Sequence, residues 1–151
     1  MSSSTPINIL LADDDQDDRF FFKKALEAIP ASTHLTTVEN GEKLMTYLSE
    51  NSGKLPDVIF LDLNMPRKNG SECLSEIRQD PKLKQVPVVI YSTSLDDAIA
   101  DELFEKGAHY YIRKCDLTEL IKLLQYVLSI LVEKEFARPS RGEFVINSVV
   151  V

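Results

Sequence analysis

The 151-residue chain has few cysteines, no basic excess and no long apolar run. Its two cysteines, Cys73 and Cys115, lie far apart, and neither belongs to a CxxC or another metal-ligand spacing. That excludes a disulfide framework and a zinc module, and it fits a reduced, cytoplasmic protein. Seventeen basic residues stand against 24 acidic ones, a net charge of −7. A surface of that sign lacks the field that holds nucleic acid or anionic lipid non-specifically, so neither is an expected partner. It suits cation binding or docking on a basic partner. Residues Met1-Ser-Ser-Ser-Thr-Pro6 carry neither a basic stretch nor an apolar one, so no secretion signal is expected. The densest apolar stretch, Leu117 to Val132, is broken by Lys122, Gln125 and Ser129, and no run is long enough to cross a bilayer.

What is present is an ordinary globular composition, 44% apolar and 27% charged, with short apolar runs alternating with longer amphipathic ones. Ile7 to Ala12 reads as a buried strand, and Asp17 to Ile29 as a helix stopped by Pro30. His34 to Val38 is a second strand, followed by a helix from Gly41 to Ser49 with Leu44, Tyr47 and Leu48 on one face. Asp57 to Leu63 and Val86 to Tyr91 are strands three and four, separated by a helix over Ser71 to Arg78. A helix over Asp96 to Lys106 closes at Gly107, a fifth strand spans Tyr110 to Arg113, and a last helix runs from Leu117 to about Glu135. Five strand-then-helix units with nearly continuous apolar strands imply a parallel sheet covered by helices on both faces. Such folds bind ligands beyond the carboxyl ends of their strands, at the point where strand order reverses.

Those ends are polar. The first strand runs into Asp13-Asp14, the third into Asp62, the fourth into Ser92-Thr93-Ser94 and the fifth into Lys114. Three carboxylates in one pocket repel unless a cation compensates, and a hard cation such as Mg2+ takes a few carboxylates plus water and a phosphate oxygen. Lys114 is a point charge suited to phosphate, Ser92 offers a hydroxyl, and Asp62 is placed as a nucleophile. Phosphoryl transfer asks mainly for positioning and charge neutralisation, which this set supplies.

The runs Ile9-Leu-Leu-Ala-Asp-Asp14, Ile59-Phe-Leu-Asp-Leu-Asn-Met-Pro66 with Gly70, Pro87-Val-Val-Ile-Tyr-Ser-Thr93 and Gly107-Ala-His-Tyr-Tyr-Ile-Arg-Lys114 occur in that order. Together, over residues 7 to 133, they resemble the response-regulator receiver family, and within it the stand-alone receivers of chemotaxis and phytochrome-type systems. The resemblance implies a doubly wound, five-stranded parallel sheet of flavodoxin-like order 2-1-3-4-5. It implies a two-component phosphorelay in which a sensor histidine kinase or a phosphotransfer protein phosphorylates Asp62. Asp14 and Asp62 would ligate Mg2+ directly with the backbone carbonyl of Asn64, and Asp13 mostly through water. Lys114 would pair with the phosphoryl group, the Ser92 hydroxyl would follow it with Thr93 alongside, and Tyr111 stands at the aromatic switch position. Asn64 and Ser94 stand where the family tunes the lifetime of the phosphoryl group. The protein would be a self-phosphorylating acceptor that slowly loses the group, not an enzyme with a separate substrate. One position departs: Cys115 follows Lys114 where proline, often cis, is usual. A non-proline cis bond costs about 3 kcal/mol, so a trans bond is expected here.

Other readings of single residues fall short. An EF-hand starting at Asp13 fails, because its sixth position is Asp18 and its twelfth is Lys24. A phosphoaspartate phosphatase wants a second aspartate where Asn64 stands. Tyr111 is either a packing aromatic or a switch. Residues 1–135 are expected to form the receiver. Residues 136–151, Arg138-Pro-Ser-Arg-Gly142 followed by an apolar, β-prone end, form an extension too short for an output domain, so the signal goes to a separate protein target. The last helix has more apolar residues than one face needs. The surplus binds a second copy, is covered by the tail folding back, or is buried within the domain.

Overall fold

The computed structural model describes residues 5–94, 96–133 and 137–146. Strands β1 (Ile7–Ala12), β2 (Thr33–Val38), β3 (Val58–Leu61), β4 (Val88–Ser92), β5 (Tyr110–Arg113) and β6 (Val145–Ile146) form one sheet in the order β2-β1-β3-β4-β5-β6. Every neighbouring pair is parallel. Helices α1 (Gln16–Glu27), α2 (Gly41–Glu50), α3 (Gly70–Gln79), α4 (Asp97–Glu105) and α5 (Leu117–Val132) connect the strands, and a short α6 (Arg141–Phe144) leads into β6.

The inner strands β1, β3 and β4 are nearly continuous in apolar residues because both of their faces are covered, whereas the edge strand β2 is Thr-rich and only partly buried. On one face Ile9, Leu11, Phe60, Val89, Tyr91 and Ile112 meet α1 and α5 through Phe22, Leu26, Leu120, Leu124 and Val127. On the other, Leu10, Ile59, Leu61, Ile90 and Tyr111 meet α2, α3 and α4 through Leu44, Leu48, Leu74, Ile77 and Leu103. Period-two alternation therefore sorts residues between two cores rather than between core and water.

Each long helix opens on an Asp or Asn whose side chain accepts from the first-turn amides: Asp15, Asn40, Asn69, Asp96 and Asp116. Asn69 and Glu72 complete a reciprocal capping box. These caps fix where each chain segment turns out of the sheet. At the other end of α4, Gly107 takes φ 101° as the expected terminator, where a side chain would also meet Arg78.

The sixth strand departs from the expected five-stranded sheet. Tyr111 pairs with Val145 and Ile112 with Ile146. Without them β5 would present an unpaired edge to water. Phe144 is fully buried edge-to-face against Phe104 and Tyr111, and Arg141 pairs with Asp101 at 2.7 Å. Arg138 donates to the carbonyls of Ala108 and Phe104. The tail thus lies on α4 and the β5 edge, with Ile146 reaching the α5 side. The last helix ends at Val132, and residues 134 and 135 of its expected span lie outside the described residues. Its surplus apolar side chains Ile121, Ile130 and Leu131 are half-buried against the α1–α5 core, while Tyr126 and Val132 stay exposed. No described helix is long and apolar enough to cross a membrane.

Candidate functional site

The strand order reverses between β1 and β3, and the polar strand ends converge there. The sheet ladder itself carries the key residues into place. The Asp13 amide donates to the Val38 carbonyl (3.1 Å), the Asp62 amide to the Ala12 carbonyl (3.0 Å), and the Lys114 amide to the Ser92 carbonyl (2.8 Å). Backbone bonds therefore hold Asp13, Asp62 and Lys114 one residue past regular strands.

Asp13 is fully buried, Asp62 is 4% exposed, and Asp14 lies on the surface. One carboxylate oxygen from each of the three lies within 4.8 Å of the others, the one such acidic group among the described residues. Lys114 Nζ sits 2.8 Å from Asp13 Oδ2, 2.8 Å from Asp18 Oδ2 and 3.4 Å from Asp62 Oδ2. It also lies 5.3 Å from the centre of the Tyr91 ring. The Lys114–Cys115 bond is trans, as no cis peptide occurs among the described residues. The lysine still reaches Asp62, so the missing proline does not take it out of the site.

Asp13 Oδ2 decides whether a metal fits. Although it is ion-paired with Lys114, this buried oxygen receives no aligned hydrogen bond. A buried, unfilled carboxylate acceptor beside two further carboxylates is a donor set for a hard divalent cation. Electrostatics agree. Burial, then the adjacent Asp13 charge, push the Asp62 carboxyl up to about 6 against the pull of Lys114. Burial also raises Asp13. Burial alone would lower the Lys114 ammonium, but its pairing with the Asp13 and Asp18 carboxylates outweighs burial and holds the lysine above its ordinary value. The pocket concentrates negative charge that it does not itself neutralise.

Ser92 is fully buried at the end of β4, and its Oγ accepts from the Ser94 amide at 3.4 Å. Thr93 and Asn64 are exposed, and the Asn64 amide lies 3.4 Å from Asp62 Oδ1. Tyr111 is fully buried, with its hydroxyl donating to the Ser94 carbonyl. It therefore packs in the core and also touches the segment that follows Ser92. Two participants were missed in the sequence: Asp18, whose bond to Lys114 matches the shortest in the site, and Tyr91 over the ammonium. No sequence signal set Asp18 apart, because it lies in a run of acids at the start of α1.

A doubly wound parallel sheet with two buried aspartates, an exposed one and a lysine at its switch point defines the class of receiver domains. The model of the response regulator receiver domain matches residues 9–125, and the chain belongs to that family. Among its relatives is the response regulator Rcp1 of Synechocystis sp. (strain ATCC 27184 / PCC 6803 / Kazusa), 36% identical over 139 residues that cover 87% of this chain and 92% of that protein. The crystal structure of the phosphorylated cyanobacterial phytochrome response regulator RcpA superposes with a TM-score of 0.77 at 30% identity, covering 90% of this chain and all of that one. The Mn2+-bound form of Rcp1 does so with a TM-score of 0.75 at 31% identity, covering 89% and 100%. The chain is thus a receiver of two-component signalling, close to the phytochrome response regulators. Receivers take up divalent metal at this acidic pocket and interact with a histidine kinase or phosphotransfer protein.

Proposed function

We propose that Asp62 accepts a phosphoryl group from a histidine kinase or phosphotransfer protein, and that Asp13, Asp14, Asp62 and the backbone carbonyl of Asn64 hold Mg2+ for that transfer. The observation that carries this reading is the pairing of Asp62, nearly buried and raised to about 6, with Lys114 and two further carboxylates at the switch point. At pH 7.5 the Asp62 carboxylate is ionised. One of its oxygens attacks phosphorus, the bond from phosphorus to the donor's nitrogen or oxygen breaks, and the donor leaves with that electron pair. The product is an acyl phosphate on Asp62. Lys114 and the Ser92 hydroxyl donate to phosphoryl oxygens, with Thr93 alongside. Bound Mg2+ supplies charge neutralisation.

The readout runs through Ser92. Drawing its hydroxyl toward the phosphoryl group pulls on Ser94, whose amide bonds Ser92 and whose carbonyl holds Tyr111. Tyr111 then changes the surface of α4, β5 and α5 for a protein target. The chain is a phosphoacceptor with slow self-dephosphorylation and no separate substrate, and Asn64 and Ser94 set the lifetime of the group. It works in the cytoplasm and, at net charge −7, without nucleic acid or membrane. In this reading residues 1–135 make the receiver, and 136–151 an extension whose described part, α6 and β6, lies on the β5 edge. A second copy docking on α5 would cover Tyr126 and Val132, which that helix leaves exposed.

The test is intact mass after incubation with a small acyl-phosphate donor, with and without Mg2+. A Mg2+-dependent, hydroxylamine-labile adduct that is lost in Asp62→Asn is the expected result. No adduct in the wild type, or an equal adduct in the variant, would overturn the assignment.

A further inference from the structure

Lys114 has three donors and three carboxylate neighbours, and its ties to them are unequal. Asp62, the residue that must react, is the farthest at 3.4 Å. Asp13 and Asp18 are both at 2.8 Å, but only the Asp18 contact has hydrogen-bond alignment, while the buried Asp13 Oδ2 has none. Of these two close contacts, the aligned bond thus comes from the first turn of α1, outside the trio that faces a cation. Asp18 is itself fixed there by its amide, which donates to the Asp15 cap at 3.1 Å.

Removing that hold would leave Lys114 with Asp13 and Asp62 alone. Both are buried, and charge pairs strengthen as water is excluded. The ammonium would settle between them, where a divalent cation and an incoming phosphoryl group must also go. We propose that Asp18 is a positioning residue: it anchors Lys114 to the side of the pocket and so keeps Asp13 and Asp62 open to the cation and to phosphorylation. The proposal rests on the phosphoacceptor reading above. The plainer role for Asp18, an acid that favours the helix N-terminus, would act whether or not Lys114 were present. The two roles therefore differ in their dependence on the lysine.

A double-mutant cycle reads that dependence through Mg2+ affinity, measured by calorimetry on wild type, Asp18→Asn, Lys114→Ala and the double variant. The expected result is a loss of about tenfold in Mg2+ affinity from Asp18→Asn with Lys114 present, and of about twofold or less in the Lys114→Ala background. Asp18→Glu, which keeps the carboxylate within reach of Nζ, should recover most of the affinity. The proposal is overturned if Asp18→Asn leaves the affinity unchanged, or lowers it equally in both backgrounds. If wild type binds Mg2+ and is phosphorylated but shows no coupling, the anchor alone fails. If wild type does neither, the phosphoacceptor reading fails and the anchor falls with it. Asp18 is 36% exposed at its side chain, so Asp18→Asn should fold normally, and a melting curve on each variant checks this.

Discussion

Replacing Asp62 by Asn should stabilise the metal-free protein at neutral pH, and the gain should disappear in acid. The Asp62 carboxyl is raised from 3.8 to about 6 by burial and by the Asp13 charge, even with Lys114 pulling the other way. The folded protein therefore binds this proton more tightly than the unfolded chain does. Its contribution to stability is full below pH 3.8 and is lost as pH rises through about 6. At about 1.36 kcal/mol per unit, ionising Asp62 in the fold costs about 3 kcal/mol, net of what Lys114 returns. An Asn of the same shape carries no such cost.

The measurable quantity is the stability difference between Asp62→Asn and wild type, from urea or thermal unfolding in chelator between pH 4 and pH 7.5. It should grow in favour of the variant by about 2–3 kcal/mol across that range, or roughly 5–10 °C in Tm. Constant differences between Asn and protonated Asp cancel in this comparison, which leaves the ionisation of Asp62 together with its effect on the neighbouring Asp13 and Lys114. A difference that stays flat with pH, or that grows toward acid, would refute the reasoning. Saturating Mg2+ at about 100 times its Kd should return about 2.7 kcal/mol to wild type and much less to the variant, closing the gap at pH 7.5.

Two further substitutions test the frame around the site. A Cβ at Gly70 would lie 2.3 Å from the Asp62 carbonyl oxygen and 2.9 Å from Leu63 Cα, so Gly70→Ala must shift the strand end that presents the phosphoacceptor. It should cost about 1–3 kcal/mol in urea unfolding and, if Asp62 is the phosphoacceptor proposed above, cut acyl-phosphate labelling sharply; labelling at the wild-type rate would mean the site tolerates that shift. Phe144→Ala should cost about 3 kcal/mol and expose the Tyr111 ring to solvent quenchers of fluorescence. An unchanged unfolding midpoint would show that the tail adds no packing.

Most of the site was legible because the chemistry lies in single residues at the ends of strands. A parallel strand buried on both faces reads as an unbroken apolar run, and the first polar residue after it marks where the sheet edge meets water. Asp13, Asp62, Ser92 and Lys114 each stand at such a break, so assembling the strands assembled the pocket. Asp18 was not legible in the same way. It belongs to the run Asp13-Asp14-Asp15-Gln16-Asp17-Asp18, where caps, first-turn acids and ligands look alike. Asp15 caps α1, Asp17 and Asp18 favour its N-terminus, and only the position of Lys114, 96 residues later, separates Asp18 from the rest. Sequence order carries no signal for a contact of that range between two charged residues.

The tail shows the complementary limit. Glu143 to Val151 read as β-prone, yet two residues of strand offer little periodicity. What places β6 is the surface left by the rest of the domain: an open β5 edge beside a cleft between Phe104 and Tyr111 that Phe144 fills. Arg138 and Arg141 then bind groups on α4 and just after it. Docking there is decided by the folded domain, not by local propensity, as expected for a short strand that gains its hydrogen bonds only by adding to an existing edge. The same placement puts Phe144 against the one core aromatic whose hydroxyl touches the segment after Ser92. Tyr111 thus touches the tail through its ring and the segment after Ser92 through its hydroxyl.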